Sequence, residues 1–209
     1  MIIAVDGPTA SGKGTLSHRI GAWYGLAVLD TGAIYRAVGL AVLDAGRDPA
    51  DDAAAEAAAA ALDLAAIDND RLRANAVGQA ASIVAAKPKV RALLLEAQRA
   101  FARRPGGAVL DGRDIATVVC PDADVKLFVT AAIAERAARR HAELVGRGES
   151  VTLAEVTVQI EARDARDSNR PVAPLRQAPD AHLLDTTGLP IEEAAARAFA
   201  IIDAALGRP

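Results

Sequence analysis

Cysteine is nearly absent: Cys120 is the single one in 209 residues, so no internal disulfide can brace the chain, and a reducing compartment suits it. A basic leader is missing too, and the opening apolar run of MIIAVDGP is far too short for a signal core or a membrane span. No Gly/Ser linker and no internal repeat divides the chain. Nor does one sign of charge dominate. With 24 Lys and Arg against 27 Asp and Glu, the net charge of -3 gives no general reason to expect a polyanion-binding surface, so any basic site must be local. His18, His141 and His182 stand at no metal-ligand spacing from one another or from Cys120. No stripe of large apolar residues stands out as an interface. These absences lead to the expectation of a cytoplasmic monomer that binds neither nucleic acid nor membrane.

What is present is a core. A hydrophobic content of 52% over this length fits one domain, residues 1–209, with appended segments. Five short runs rich in Val, Ile and Leu, at 2–5, 26–30, 108–111, 125–129 and 181–185, alternate with longer helical stretches. That alternation predicts an α/β fold, a five-stranded parallel sheet flanked by helices. Three of the runs end in aspartate, Asp30, Asp111 and Asp185, and in open α/β sheets ligands gather beyond the carboxyl ends of the strands. In residues 31–44, Ile34, Val38, Ala41 and Val42 fall on one helical face, and Gly46 stands where a helix stop is expected. Residues 53–66 are alanine-dense and read as a plain packing helix.

The first strand runs into GPTASGKGTL. Its G-x-x-x-x-G-K core, after a strand and opening a helix, is a phosphate-binding loop: backbone N–H groups and the helix dipole cradle phosphates, and Lys13 adds a positive charge. The residues of this ATP-binding loop are Gly7, Pro8, Thr9, Ala10, Ser11, Gly12, Lys13, Gly14 and Thr15. The hydroxyl that usually follows the lysine arrives one residue late, on Thr15, where it can still face a magnesium ion. Farther on, Arg163, Arg166, Asp167 and Arg170 stand at i, i+3, i+4 and i+7, with Pro171 to stop the helix. Three guanidinium groups on one stripe repel one another unless anions lie between them, or unless Glu161, Asp164 and Asp167 knit a surface lattice. The upstream phosphate loop favours the anion reading. Arg36 and Arg113, each just past a strand end, add cations where donor and acceptor phosphates of a phosphoryl transfer would repel.

The G-K-G-T variant, followed in order by DTGAIYR (30–36), AASIVAAKPKVR (80–91), DGRDIATVV (111–119) and RDARDSNR (163–170), resembles the successive motifs of the bacterial cytidylate kinases, from Ile2 to about Glu193. The resemblance implies a kinase that moves the γ-phosphoryl group of ATP to CMP or dCMP with Mg2+. It implies a core (about 1–50, 105–132 and 178–209), an acceptor-binding segment (about 51–104) and a helical lid (about 133–177). Lys13, Arg113, Arg163 and Arg170 are its catalytic candidates. Arg36, Arg113 and Arg170 fall to the acceptor phosphate, Arg163 and Asp167 to its ribose, and Thr31 and Gly112 line the same site. Ser82, Arg91 and Asp114 fall to the cytosine. Arg136, Arg139 and Arg140 resemble lid arginines that approach ATP, although a solvated helix face explains them equally well. Asp111 either orients magnesium or caps its strand. One departure stands out: only DLAAIDNDRLRANAVGQ precedes Ala80, so the acceptor-side insertion is abbreviated, while Arg73 still matches an arginine of the pattern. Alternatives are a kinase for UMP, AMP or a non-nucleotide alcohol and, in another class, a nucleotide-hydrolysing switch. The switch lacks a water-positioning glutamine in a glycine-rich turn.

Overall fold

The computed structural model describes residues 1–63 and 71–208. Five strands, β1 (Ile2–Asp6), β2 (Ala27–Asp30), β3 (Ala108–Gly112), β4 (Val125–Thr130) and β5 (His182–Asp185), form one parallel sheet in the order β2-β3-β1-β4-β5. All five expected strands exist, each within a residue of its apolar run at either end. The continuous rather than alternating apolarity of β1 and β3 follows from burial on both faces: Ile3, Ala4, Val5, Val109 and Leu110 are all completely shielded.

Helices α1 (Lys13–Tyr24) and α8 (Ile191–Ala205) cover one face, where Leu16, Ile20, Ala198 and Ile202 join Val5 and Leu127 in the largest apolar cluster. A second cluster on Ala4 and Leu110 takes in Ala102, Ile115 and Val119. Helices α2 (Thr31–Asp44), α3 (Asp52–Ala60), α4 (Asn75–Val84) and α5 (Pro88–Ala102) make a third, in which Ile34, Val38 and Val42 meet Ala55, Ala59, Val84 and Leu94. Helices α6 (Ile133–Gly146) and α7 (Leu153–Asn169) pair through only Ala137, Leu144, Val156 and Ile160. A core so small stabilises weakly by itself, and polar latches to the rest of the chain matter correspondingly more.

Three local expectations change. Ala41 is exposed, because the buried face of α2 runs through Ile34, Tyr35, Val38 and Val42 and leaves Ala41 outside it. The alanine-rich helix ends at Ala60, while residues 64–70, part of the abbreviated insertion, and the side chain of Arg73 lie outside the described residues. Arg170 leaves the helical stripe. Pro171 forces the residue before it into an extended conformation, and Arg170 is the C-cap of α7 with φ -62 and ψ 143.

The sheet order places β1 between β3 and β4, so the loop that leaves β1 opens at the carboxyl edge where the crossovers diverge. Register sets Asp6 beside Gly112, and Asp30 beside Asp111. The loop itself can start only with glycine: Gly7 has φ +148, and a Cβ there would lie 1.9 Å from the Val129 carbonyl oxygen of β4. Gly7→Ala is therefore expected to cost at least about 2 kcal/mol through strain and backbone displacement, lowering Tm by roughly 4 °C or more. An unchanged melting curve would contradict the close seating of the loop on β4.

Candidate active site

A cavity of about 660 Å³ opens along the carboxyl edge of the sheet. Every residue assigned to phosphate, ribose or base lines it: Thr31, Arg36, Ser82, Arg91, Gly112, Arg113, Asp114, Arg163, Asp167 and Arg170. On the donor side Thr9 to Thr15 line it as well. Gly7 and Pro8 do not. Gly7 is seated against β4, and the Pro8 carbonyl faces inward to accept from Lys13 at 2.7 Å and from the Ser11 hydroxyl at 3.0 Å.

Lys13 is buried, its ammonium held on that carbonyl. Burial first, and then the neighbouring Arg113, push its pKa down to about 7, against the pull of Asp111 and Asp6. At Gly14 a Cβ would stand 3.4 Å from the Asp111 carboxylate, an ordinary contact. Thr15, one residue on, is exposed on the cavity wall. Behind the loop, Thr186 donates its hydroxyl to the Ser11 and Thr130 carbonyls at 3.1 Å each. Asp164 of α7 accepts from the Thr9 N–H at 3.4 Å and from Arg136 at 2.5 Å, while Arg136 also reaches the Thr9 carbonyl at 3.2 Å. These contacts latch the α6–α7 pair onto the donor loop.

The three arginines of α6 thus divide. Arg136 is buried in the latch, Arg139 holds Thr186 at 2.8 and 3.1 Å, and Arg140 lines the cavity paired to Glu143 at 2.8 Å. None of them is a freely solvated side chain.

On the acceptor side nearly every cation has a carboxylate. Arg36 pairs with Asp30 at 2.6 Å and Arg113 with Asp167 at 2.9 Å. Burial works against the Arg113 charge, but Asp167 and Asp111 outweigh it and hold its pKa above the ordinary value. Asp114 receives Arg91 on one oxygen and Arg170 on the other, the latter at 2.9 Å. Arg170 also donates to the Ala173 carbonyl. The Arg91 guanidinium lies over the Tyr35 ring, 5.5 Å from its centre. Thr31 spends its hydroxyl proton on the Asp111 carbonyl at 2.7 Å. Arg163 is the exception. Its Nε is shut off from solvent with no hydrogen-bond partner, and burial followed by repulsion from Arg113 lowers its pKa to about 10.

Asp111 caps nothing. Its carboxylate accepts no hydrogen bond among the described residues, and burial raises its pKa to about 6. Asp185 turns away from the cavity and accepts from the Thr187 N–H and hydroxyl at 2.8 and 2.6 Å. Sequence reading passed over Asp6 and Thr186, and gave Asp164 only to a surface lattice. Asp6 and Thr186 do carry a signal, since both stand at or just after a strand's carboxyl end. Arg166 was singled out only as part of the stripe, and its guanidinium donates to the Ser82 hydroxyl at 2.7 Å.

The cytidylate kinase family model matches residues 3–204. The chain belongs to the cytidylate kinase family. It is 57% identical to the cytidylate kinase of Xanthobacter autotrophicus over 98% of both chains. It is 62% identical to that of Methylobacterium sp. over 87% of this chain and 86% of the relative, and 57% identical to that of Azorhizobium caulinodans over 99% and 100%. Among solved structures, an uncharacterized protein from Eubacterium ventriosum matches 97% of this chain and 98% of its own with a TM-score of 0.58 at 10% identity. TT1252 from Thermus thermophilus matches 98% and 96% with a TM-score of 0.50 at 21% identity. These two likenesses concern the fold alone.

The lowered pKa of Lys13 carries a pH signature. With that pKa down at about 7, a triphosphate bound beside Lys13 would raise it, so if the loop takes the ATP phosphates, Mg-free ATP binding is expected to take up a proton and to weaken as pH rises from 6 to 8. Calorimetry in two buffers of different ionisation enthalpy reads the uptake, with Lys13→Met as the reference that subtracts the ionisation of ATP itself. Equal uptake by both proteins would contradict the assignment.

Proposed function

We propose that the chain transfers the γ-phosphoryl group of ATP to CMP or dCMP, with the loop Thr9–Thr15 on the donor phosphates and the arginines across the cavity on the acceptor. The observation that carries this reading is the continuity of one cavity from Lys13 past Arg163 to Ser82 and Asp114. An end rich in backbone N–H suits a polyphosphate, a middle rich in guanidinium suits the reacting phosphates, and a far end with Asp114 and Arg91 suits a base that offers an amino group beside acceptors.

Magnesium fits this donor set. Asp111 presents a buried carboxylate with no hydrogen bond, and Thr15 presents a hydroxyl. Among the described residues no cluster of three or more His, Cys, Asp or Glu is placed to hold a metal, as befits an ion carried largely by phosphate and water. When bound it would neutralise charge on the donor phosphates. The side chains do the rest. Lys13 exchanges the Pro8 carbonyl for a phosphate oxygen. Arg163, which has no ion pair among the described residues, receives negative charge without first breaking one. Arg36 and Arg113 are held in place by Asp30 and Asp167, and Arg170 by Asp114, so their orientation precedes substrate. No covalent intermediate and no dedicated base is required, because positioning and charge neutralisation carry the step. Residues 133–177 act as the lid, their latch at Asp164 excluding water from the donor loop. Among the described residues no helix is long and apolar enough to cross a membrane.

Held between Arg91 and Arg170, the Asp114 carboxylate offers acceptor oxygens, suited to the N4 amino group of cytosine and opposed to the O4 carbonyl of uracil. ADP release measured with CMP, dCMP, UMP and AMP should be fast only for the cytidine nucleotides. In Asp114→Asn the ratio of kcat/KM for CMP over UMP should shrink by about tenfold or more, since an amide can turn its NH2 toward O4. An unchanged ratio removes Asp114 from base reading, and ADP release without any acceptor would point to the hydrolysing switch.

A further inference from the structure

Asp6 has no part in the proposed transfer, yet it joins the two halves of the site. It ends β1 in register with Gly112 of β3 on one side and Phe128 of β4 on the other, and only 1% of it is exposed. Its oxygens are separately engaged: Oδ1 accepts from the Ile115 N–H at 2.9 Å and Oδ2 from the Ala116 N–H at 2.8 Å. These residues open a short π-helical turn, Ile115–Val119, whose own bonds begin only where the Val118 and Val119 N–H groups return to the Asp114 carbonyl at 2.9 and 3.1 Å. The two leading N–H groups therefore have no partner within the turn and are buried.

A carboxylate is an expensive cap here. Burial pushes the pKa of Asp6 up to about 7 despite both N–H bonds, and Asp114 pushes the same way. What a carboxylate offers that other short side chains do not is two acceptor oxygens in a fixed fork, one for each of two consecutive N–H groups.

We infer that Asp6 is a positioning residue for the acceptor: its forked grip on Ile115 and Ala116 fixes the turn so that Arg113 and Asp114, the two residues before it, are aimed into the cavity. The next residue, Gly7, begins the donor loop, so a single position ties the donor loop by its backbone to the acceptor turn by its side chain. The inference rests on the proposed acceptor roles of Arg113 and Asp114. It goes beyond them by assigning their aim to a residue that touches no substrate.

The variants are Asp6→Asn and Asp6→Ala, assayed beside Asp114→Asn in the full chain with Mg-ATP. Asp6→Ala strips both N–H groups of their partner and risks the fold. Asp6→Asn keeps the volume but sets an NH2 group against one N–H, so a role in filling space would be rescued by Asn and a role in accepting twice would not. For Asp6→Asn the expected result is a CMP KM raised about tenfold or more, an ATP KM within about threefold of normal, and a smaller preference for CMP over UMP. Equal rises in both KM values, or full rescue by Asn, would overturn the positioning role. A silent Asp6→Asn beside a disturbed Asp114→Asn overturns it and leaves the acceptor reading standing. A silent Asp114→Asn overturns the acceptor reading itself, and the aim assigned to Asp6 falls with it. Should Asp6→Asn also fail to fold, the wild-type protein decides: amide exchange at Ile115 and Ala116 as fast as in exposed loops would show that the fork does not hold the turn.

Discussion

The burial of several cations around one cavity is the constraint on which this site depends. Lys13, Arg113 and Arg163 come from three different elements; burial first, and then repulsion from Arg113, lowers the pKa of Lys13 to about 7 and that of Arg163 to about 10, while Asp167 and Asp111 hold that of Arg113 up. In a partly dry cavity such repulsion is weakly screened, and only anions relieve it. The fold supplies some of those anions itself. Parallel strands end side by side, so Asp30, Asp111 and Asp6 share one edge, and Asp167 arrives from α7. Asp30 and Asp167 each steady one arginine, and Asp114 steadies two. Lys13 donates to the Pro8 carbonyl, and the Arg163 Nε has no hydrogen-bond partner among the described residues. The unmet positive charge is thus concentrated where the proposed phosphates would react.

The same economy connects the site to the small α6–α7 pair. Its apolar core comes down to four buried residues, and its hold on the donor loop is polar, through Asp164, Arg136 and Thr9. The large cluster on Ile3, Val5 and Ile20 lies elsewhere, as the proposed lid role of this segment requires. The rigid scaffold holds the donor loop and the acceptor turn, while the charged wall of α7 is fastened by contacts that a nucleotide can exchange.

Much of this was legible in the sequence, for reasons that differ by element. Strands β1 and β3 could be read because burial on both faces makes them continuous apolar runs, and the donor loop because its glycines answer to sterics that any phosphate loop shares. Asp6 escaped notice because the run IIAV stops one residue before it, which hid that β1 ends in aspartate as β2 and β5 do. The stripe from Arg163 to Arg170 assumed a helix through residue 170, but the proline after it turns Arg170 off the stripe and toward Asp114. Spacing could gather the right charged residues without saying which carboxylate each arginine would take. That pairing depends on contacts between segments far apart in sequence, such as Arg113 with Asp167 and Arg166 with Ser82, and no local pattern encodes it.

If repulsion is held in reserve for substrate, removing one cation must relieve the free protein while disabling the reaction. The decisive measurement is the thermal unfolding of Arg163→Met beside its kcat/KM, both without and with ATP. The account predicts a substrate-free Tm equal to or above that of the unaltered chain, a smaller rise on adding ATP, and kcat/KM lower by about 10²-fold or more. A substrate-free Tm well below normal would contradict it, for Arg163 would then be holding the fold together rather than waiting for phosphate.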